Sequence, residues 1–330
     1  MRGFVPPSSQ TYLKDNTVMG VKHIAGGSRT ALIIAHLGAI ITVIAWGSSF
    51  LSTKILMEEV HLTPVETYVY RFASAYVLLL LFTFRKIFSH NWRDELNLCI
   101  CGICAGSLYF ITENYALTMT TTGNVSLLAS VSPIFTTVLM AIVFKARIGI
   151  GAAVGSLIAF AGVFCIIFSH GESLEINPAG DLLALSASLC WAVYTIIVKK
   201  LIPRYNSLFI TRKMFFYGVI TALPLLFMQH EPFHFAALMD FSQPFYMANF
   251  LFLVVMCSLG AYLIWSESMK VLGPVTTNNY LYGQPLVTMI AAYIVLGEKI
   301  FVLGYIGCFL IIGGLVLADK WNPSFRFLRH

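Results

Sequence analysis

Ser132-Pro133-Ile134-Phe135-Thr136-Thr137-Val138-Leu139-Met140-Ala141-Ile142-Val143-Phe144 returns 152 residues later as Gln284-Pro285-Leu286-Val287-Thr288-Met289-Ile290-Ala291-Ala292-Tyr293-Ile294-Val295-Leu296. The register continues without a gap, since Ile148, Gly155 and Gly162 recur as Ile300, Gly307 and Gly314. Upstream the spacing is 145 residues, with Trp46, Lys54 and Leu56 matching Trp191, Lys199 and Leu201. The second copy therefore gained about seven residues between the two blocks. Each copy carries five apolar stretches. An odd number of membrane crossings inverts the second copy relative to the first, an architecture that recurs in secondary transporters.

The composition agrees with a membrane as solvent. Hydrophobic residues make up 58% of the 330, charged residues 11%, and the mean hydropathy is +0.80. Too little polar side chain is available to cover a water-facing globule, and apolar runs of about 20 residues read as membrane helices. The sequence predicts an all-α polytopic membrane protein with ten transmembrane helices in two inverted five-helix repeats. Its spans are expected near residues 33–52, 65–84, 96–117, 123–144, 148–168, 181–202, 208–228, 245–269, 275–296 and 300–318. The repeats occupy residues 31–168 and 180–318, between an N-terminal tail, residues 1–30, and a C-terminal tail, residues 319–330.

Loop charges orient the spans, because Lys and Arg accumulate on the cytoplasmic side. With both termini inside, sixteen Lys and Arg fall in cytoplasmic tails and loops, among them Arg85, Lys86, Lys145, Arg147, Lys199, Lys200 and Lys270, against Lys54 and Lys299 outside. The net charge of +6 therefore reflects topology. Basic residues are scattered singly through short loops, which argues against nucleic acid as a partner. The first thirty residues read as a disordered cytoplasmic tail without a signal peptide, and Met19 as an alternative native start.

Several chemistries find no support. Seven cysteines lie in or beside apolar spans, which argues against a disulfide framework. Cys99, Cys101 and Cys104 have no second ligand pair nearby, and no metal or other cofactor is expected. Neither a nucleophile elbow, a His-Glu-Xaa-Xaa-His pair nor a phosphate-binding loop occurs, so neither an enzyme nor an ATP-driven pump is expected. Gln229 to Pro244 is the longest loop, and sixteen residues cannot house a nucleotide domain.

Pro133 and Pro285 stand near the middle of spans four and nine, where a proline removes a backbone hydrogen bond and kinks the helix. Bends at equivalent points of two halves point to a binding site at the membrane midplane.

Trp46-Gly47-Ser48-Ser49-Phe50 in span one, Arg71-Phe72 in span two, Ala116-Leu117 closing span three, Ser132-Pro133 in span four and Gly297-Glu298-Lys299 after span nine resemble the EamA-type transporters of the drug/metabolite transporter superfamily. The resemblance covers residues 31–318. One departure is visible, since Lys145-Ala146-Arg147 replaces the acidic residue usual after span four. The resemblance implies a multi-pass permease of a bacterial cytoplasmic (inner) membrane, commonly an exporter of amino acids or related metabolites. It also implies a central cavity lined by spans one, three, four, six, eight and nine.

Polar side chains on those spans are the candidate substrate ligands, because an unpaired polar group in hydrocarbon is costly. They are Thr42, Trp46, Ser49, Asn114, Asn124, Trp191, Tyr194, Asn278, Tyr280 and Gln284. Four ionisable residues suggest gates. Arg71 and Glu113 fall in the outer halves of spans two and three, and Lys213 (or Arg212) and Glu267 in the inner halves of spans seven and eight. The expectation is one acid–base pair at each mouth, formed alternately, with protons as the candidate coupling ion. A small zwitterionic, neutral or aromatic solute is favoured over a nucleotide sugar, because no cluster of basic residues lies at midplane. A channel would need a continuous polar pore, which the sequence lacks, and a non-transporting ligand sensor is the remaining alternative. Both a monomer and a homodimer are compatible with the sequence.

Overall fold

A computed structural model describes residues 29–83, 88–120, 122–145, 149–169, 177–229, 233–238, 243–296 and 302–320. Among them every regular element is helical. That is what hydrocarbon demands, since a helix satisfies its own backbone N–H and C=O groups. Besides a single turn at Phe235–Leu238, the elements are α1 (Arg29–Glu58), α2 (Pro64–Thr83), α3 (Trp92–Met119), α4 (Thr122–Ala129), α5 (Ser132–Phe144), α6 (Ile150–Ser169), α7 (Pro178–Leu201), α8 (Ser207–Phe227), α9 (Pro244–Leu272), α10 (Pro274–Asn279), α11 (Gln284–Leu296) and α12 (Val302–Lys320). Eight helical segments are long and apolar enough to cross a membrane, and Val302–Ala318 is a shorter apolar helix. The predicted ninth span is a broken helix, α10 followed by α11.

Local chemistry sets the starts. Pro64, Pro178, Pro244 and Pro274 open their helices, where the N–H that proline lacks would be unpaired anyway. Asn91 and Asn206 cap α3 and α8, accepting from the backbone N–H groups of Asp94 and Phe209 at 2.8 Å each. Gly273, at φ 81°, ends α9 immediately before Pro274.

Spans four and nine are interrupted at equivalent points. Between α4 and α5 the chain tightens at Ser130 and Val131, whose N–H groups reach back three residues to Leu127 and Leu128 at 3.1 and 3.2 Å. Between α10 and α11 it tightens into a 3-10 turn, Tyr280–Gly283. Pro133 and Pro285 therefore stand in the first turn of the second half-helix and do not kink a continuous one, because there the missing N–H costs nothing. The repeat also places a π-helical stretch in each of α3 and α9, at Ile103–Ser107 and Phe252–Gly260. Such stretches rotate the following side chains off the regular helical register.

Packing follows the twofold correspondence of the repeat. α1 packs on α9 as α3 packs on α7, and α1 on α11 as α5 on α7, while α2 meets α8 and α6 meets α12. The last pair explains the repeated glycines. A Cβ on Gly155 would stand 2.5 Å from the Gly314 carbonyl oxygen, and one on Gly162 would stand 2.7 Å from that of Gly307. Only glycine lets the two backbones come this close. Ile33, Ile34, Leu37, Ile41 and Ile44 of α1 and Phe309 of α12 are exposed, the outward apolar surface of a polytopic membrane protein.

Candidate functional site

The interrupted helices and α1, α2, α3, α7 and α9 surround a cavity enclosing about 460 Å³ of empty space, its mouth included. Repeat-equivalent tryptophans form its centre. Trp46 of α1 and Trp191 of α7 meet edge to face, with ring centroids 5.2 Å apart at 87°. Tyr262 of α9 adds a wall 5.4 Å from Trp46, and Tyr109 of α3 one 5.5 Å from Trp191. These separations are those at which aromatic quadrupoles attract, so the box is a rigid apolar surface.

Both indoles are held by their N–H groups. Trp46 Nε1 donates to the Cys257 carbonyl oxygen at 2.8 Å, in the π-helical stretch of α9, where a helical carbonyl is free to accept. Trp191 Nε1 donates to Asn278 Oδ1 at 2.9 Å. The Asn278 amide in turn donates to Thr136 Oγ1 and Thr195 Oγ1, both at 3.1 Å. A fully buried asparagine thus ties α5, α7 and α10 behind the cavity.

Two opposite charges line the same space. The Arg71 guanidinium stands 5.0 and 5.1 Å from the ring centroids of Phe72 and Phe110, and its Nε donates to Ser258 Oγ at 2.7 Å. Its Nη2 is buried and has no hydrogen-bond partner among the described residues. Glu113 accepts from Tyr109 at 2.7 Å through Oε1. Arg71 and Glu113 form no ion pair with each other. Both also line a second chamber of about 330 Å³, which includes Thr53, Thr67, Asn114 and Leu117. It lies toward the face where α1 and α3 end and α2 begins.

Ion pairs tie helices together where α3 and α8 begin. Glu95, in the first turn of α3, pairs with Lys213 of α8 and accepts from Tyr217 Oη and the Ser89 N–H. Beside it Asp94 pairs with Arg204 at 2.7 Å and accepts from Tyr205 at 3.0 Å.

Of the residues singled out from the sequence, Trp46, Ser49, Trp191, Gln284, Arg71 and Glu113 line the main cavity, and Asn114 the second chamber. Asn278 supports Trp191 from behind. Thr42 is buried against α9, 3.5 Å from the Ala261 carbonyl oxygen, Tyr194 is fully buried, and Tyr280 bonds His36 at 2.6 Å. The side chain of Asn124 lies outside the described residues, as do Gly297-Glu298-Lys299, residues 1–28 and residues 321–330. The expected Lys213–Glu267 pair is replaced, since Lys213 bonds Glu95 while Glu267 pairs at the surface with Lys270 three residues on, at 2.6 Å. A partner one helical turn away is reached at less entropic cost than one on another helix.

Sequence reasoning missed Tyr109, Phe110, Tyr262, Ser258 and Glu95. Tyr109 carried a usable signal, because Tyr109 and Glu113 are spaced to meet on one helix face.

The model of the EamA-like transporter family matches residues 33–168 and 178–318. An uncharacterized transporter of Archaeoglobus fulgidus is 30% identical over 297 residues, 88% of this chain and 97% of the relative. A probable terminal-alkyne amino-acid exporter of Streptantibioticus cattleyicolor is 24% identical over 281 residues, 85% of this chain and 92% of its own. An uncharacterized inner membrane transporter of Salmonella typhimurium is 24% identical over 290 residues, 86% of this chain and 94% of its own. A crystal structure at 16% identity matches the fold with a TM-score of 0.67, covering 86% of this chain and 97% of the other.

Proposed function

Because the chain belongs to the EamA-like transporter family of the drug/metabolite transporter superfamily, we propose that it is a secondary transporter exporting an amino acid or related metabolite by alternating access. It crosses the inner membrane ten times in two inverted repeats, residues 31–168 and 180–318, with both terminal tails in the cytoplasm. The observation that carries this reading is the cavity itself. It lies where the two interrupted helices meet, with repeat-equivalent tryptophans at its centre and unpaired opposite charges in its wall. The Streptantibioticus relative, a probable terminal-alkyne amino-acid exporter, supports the substrate class.

On this reading Lys213 gates with Glu95 in place of the expected Glu267. Arg71 and Glu113 stand apart where the second chamber runs toward one face, while Lys213 and Glu95 are joined at the other. On this reading the carrier is open to one side, and one pair forms as the other breaks. Closing Arg71 onto Glu113 and parting Lys213 from Glu95 would face the cavity the other way.

The test is flux. Proteoliposomes containing the full chain should take up radiolabelled amino acids faster than empty liposomes, and Trp46→Ala or Trp191→Ala should abolish the difference. Uptake equal to that of empty liposomes across amino acids and common metabolites would refute the reading.

A further inference from the structure

Two buried charges in one cavity wall need partners. Arg71 is 3% exposed and Glu113 6%, and charges at that depth are stable only when paired. Arg71 spends Nε on Ser258 and leaves Nη2 unmatched. Glu113 receives a hydrogen bond at Oε1 from Tyr109, and no other hydrogen bond or ion pair engages its carboxylate. Both project from rigid helices, and both border the aromatic box and the second chamber. The guanidinium lies against both Phe72 and Phe110, whose centroids are themselves 4.8 Å apart, which orients its remaining donors without consuming them.

A ligand that completes this wall must bring an oxyanion for the guanidinium, a hydrogen-bonding cation for the carboxylate, and an apolar body for the rings. Resting on the transporter reading above, we propose that Arg71 and Glu113 are the two poles of a zwitterion site. The substrate's carboxylate binds Arg71, its ammonium group binds Glu113, and its large apolar or aromatic side chain lies against Trp46, Trp191 and Tyr262. A single substrate then stands in for the direct Arg71–Glu113 pair. Bound substrate and the closed, empty gate are alternative ways of satisfying the same two charges.

The poles are separable by chemistry on the ligand side, which needs no variant. The full chain in detergent is equilibrated with tritiated L-phenylalanine and competed with phenethylamine, which lacks the carboxylate, 3-phenylpropionate, which lacks the amine, and L-phenylalaninamide. L-Phenylalanine should bind, and each competitor should be weaker by roughly tenfold or more, the loss expected for one charge-assisted hydrogen bond. Arg71→Gln should erase the preference for phenylalanine over phenethylamine, and Glu113→Gln the preference over 3-phenylpropionate. Equal binding of phenethylamine, discrimination retained in Arg71→Gln, or no binding of phenylalanine would each overturn the assignment. The flux assay distinguishes the failures. If the protein carries a solute lacking a carboxylate, the zwitterion site falls and the transporter stands, and if nothing is carried, both fall.

Discussion

Asn278→Leu removes the one side chain that fixes Trp191 from behind, with little change in volume. Asn278 is fully buried and makes three hydrogen bonds, to Trp191 Nε1 at 2.9 Å and to Thr136 and Thr195 at 3.1 Å. Thr195 keeps its own bond to the Trp191 carbonyl oxygen at 2.9 Å, so its hydroxyl is not orphaned. The dominant loss is the indole N–H, left buried without an acceptor, at about 1–3 kcal/mol. Hydrogen bonds between membrane helices average nearer 0.6 kcal/mol and reach about 1.7. A net destabilisation of about 1–2 kcal/mol follows. Unfolding in mixed micelles of dodecyl maltoside and sodium dodecyl sulfate should show an earlier midpoint of that size. Flux should show a raised KM, because a freed Trp191 ring no longer presents one face to the cavity. Thr195→Val removes one of the two acceptors of the Asn278 amide and a back-bond to the Trp191 carbonyl oxygen but leaves the indole N–H paired, and should cost less than Asn278→Leu. An unchanged midpoint together with unchanged KM in Asn278→Leu would refute the supporting role.

Three further outcomes are expected. Glu95→Gln breaks the lock on Lys213 and should shift the protein toward the opposite-facing state, seen as slower labelling of a cysteine introduced at Ser49 from the side that reaches it in the parent; unchanged labelling would contradict the lock. Gly162→Leu drives a side chain into the Gly307 carbonyl oxygen and Ile311, and should destabilise by about 1–3 kcal/mol or more in the same micelle titration, whereas Gly313→Ala, with nothing within 4 Å of its Cβ position, should be silent. Trp46→Phe keeps an aromatic wall but loses the donor to the Cys257 carbonyl oxygen, so it should retain more flux than Trp46→Ala while binding more weakly than the parent.

The fold was legible because its signals are redundant. Successive apolar runs and a repeat that is gap-free from Pro133 to Gly162 point to the same helical membrane architecture, and the family match spans both halves. The site was legible where a polar or aromatic residue stood out from its span, as Trp46, Trp191, Arg71, Glu113 and Gln284 do. It was not legible where function depends on helix rotation. α1, α3 and α8 are apolar on nearly all sides, so periodicity cannot tell a residue facing the cavity from one facing a neighbouring helix. Asn278 on α10 and Tyr194 on α7 read as lining because a polar side chain stands out from its span whichever way it faces, yet one is a brace and the other is buried. The π-helical stretches in α3 and α9 turn Tyr109 and Tyr262 toward Trp191 and Trp46, a rotation no spacing rule anticipates. Glu95 was overlooked because the apolar run begins at Leu96, whereas the helix begins at Trp92 and carries Glu95 in its first turn. Its partner Lys213 lies 118 residues away, a separation at which sequence carries no pairing information.

Counterflow tests the central claim, that substrate crosses through one cavity opened alternately to either face. Proteoliposomes loaded with unlabelled L-phenylalanine and diluted into trace tritiated L-phenylalanine should accumulate label transiently above equilibrium, since a loaded carrier returns by exchange. Label that only equilibrates, at a rate independent of the internal load, would contradict alternating access and point to a pore.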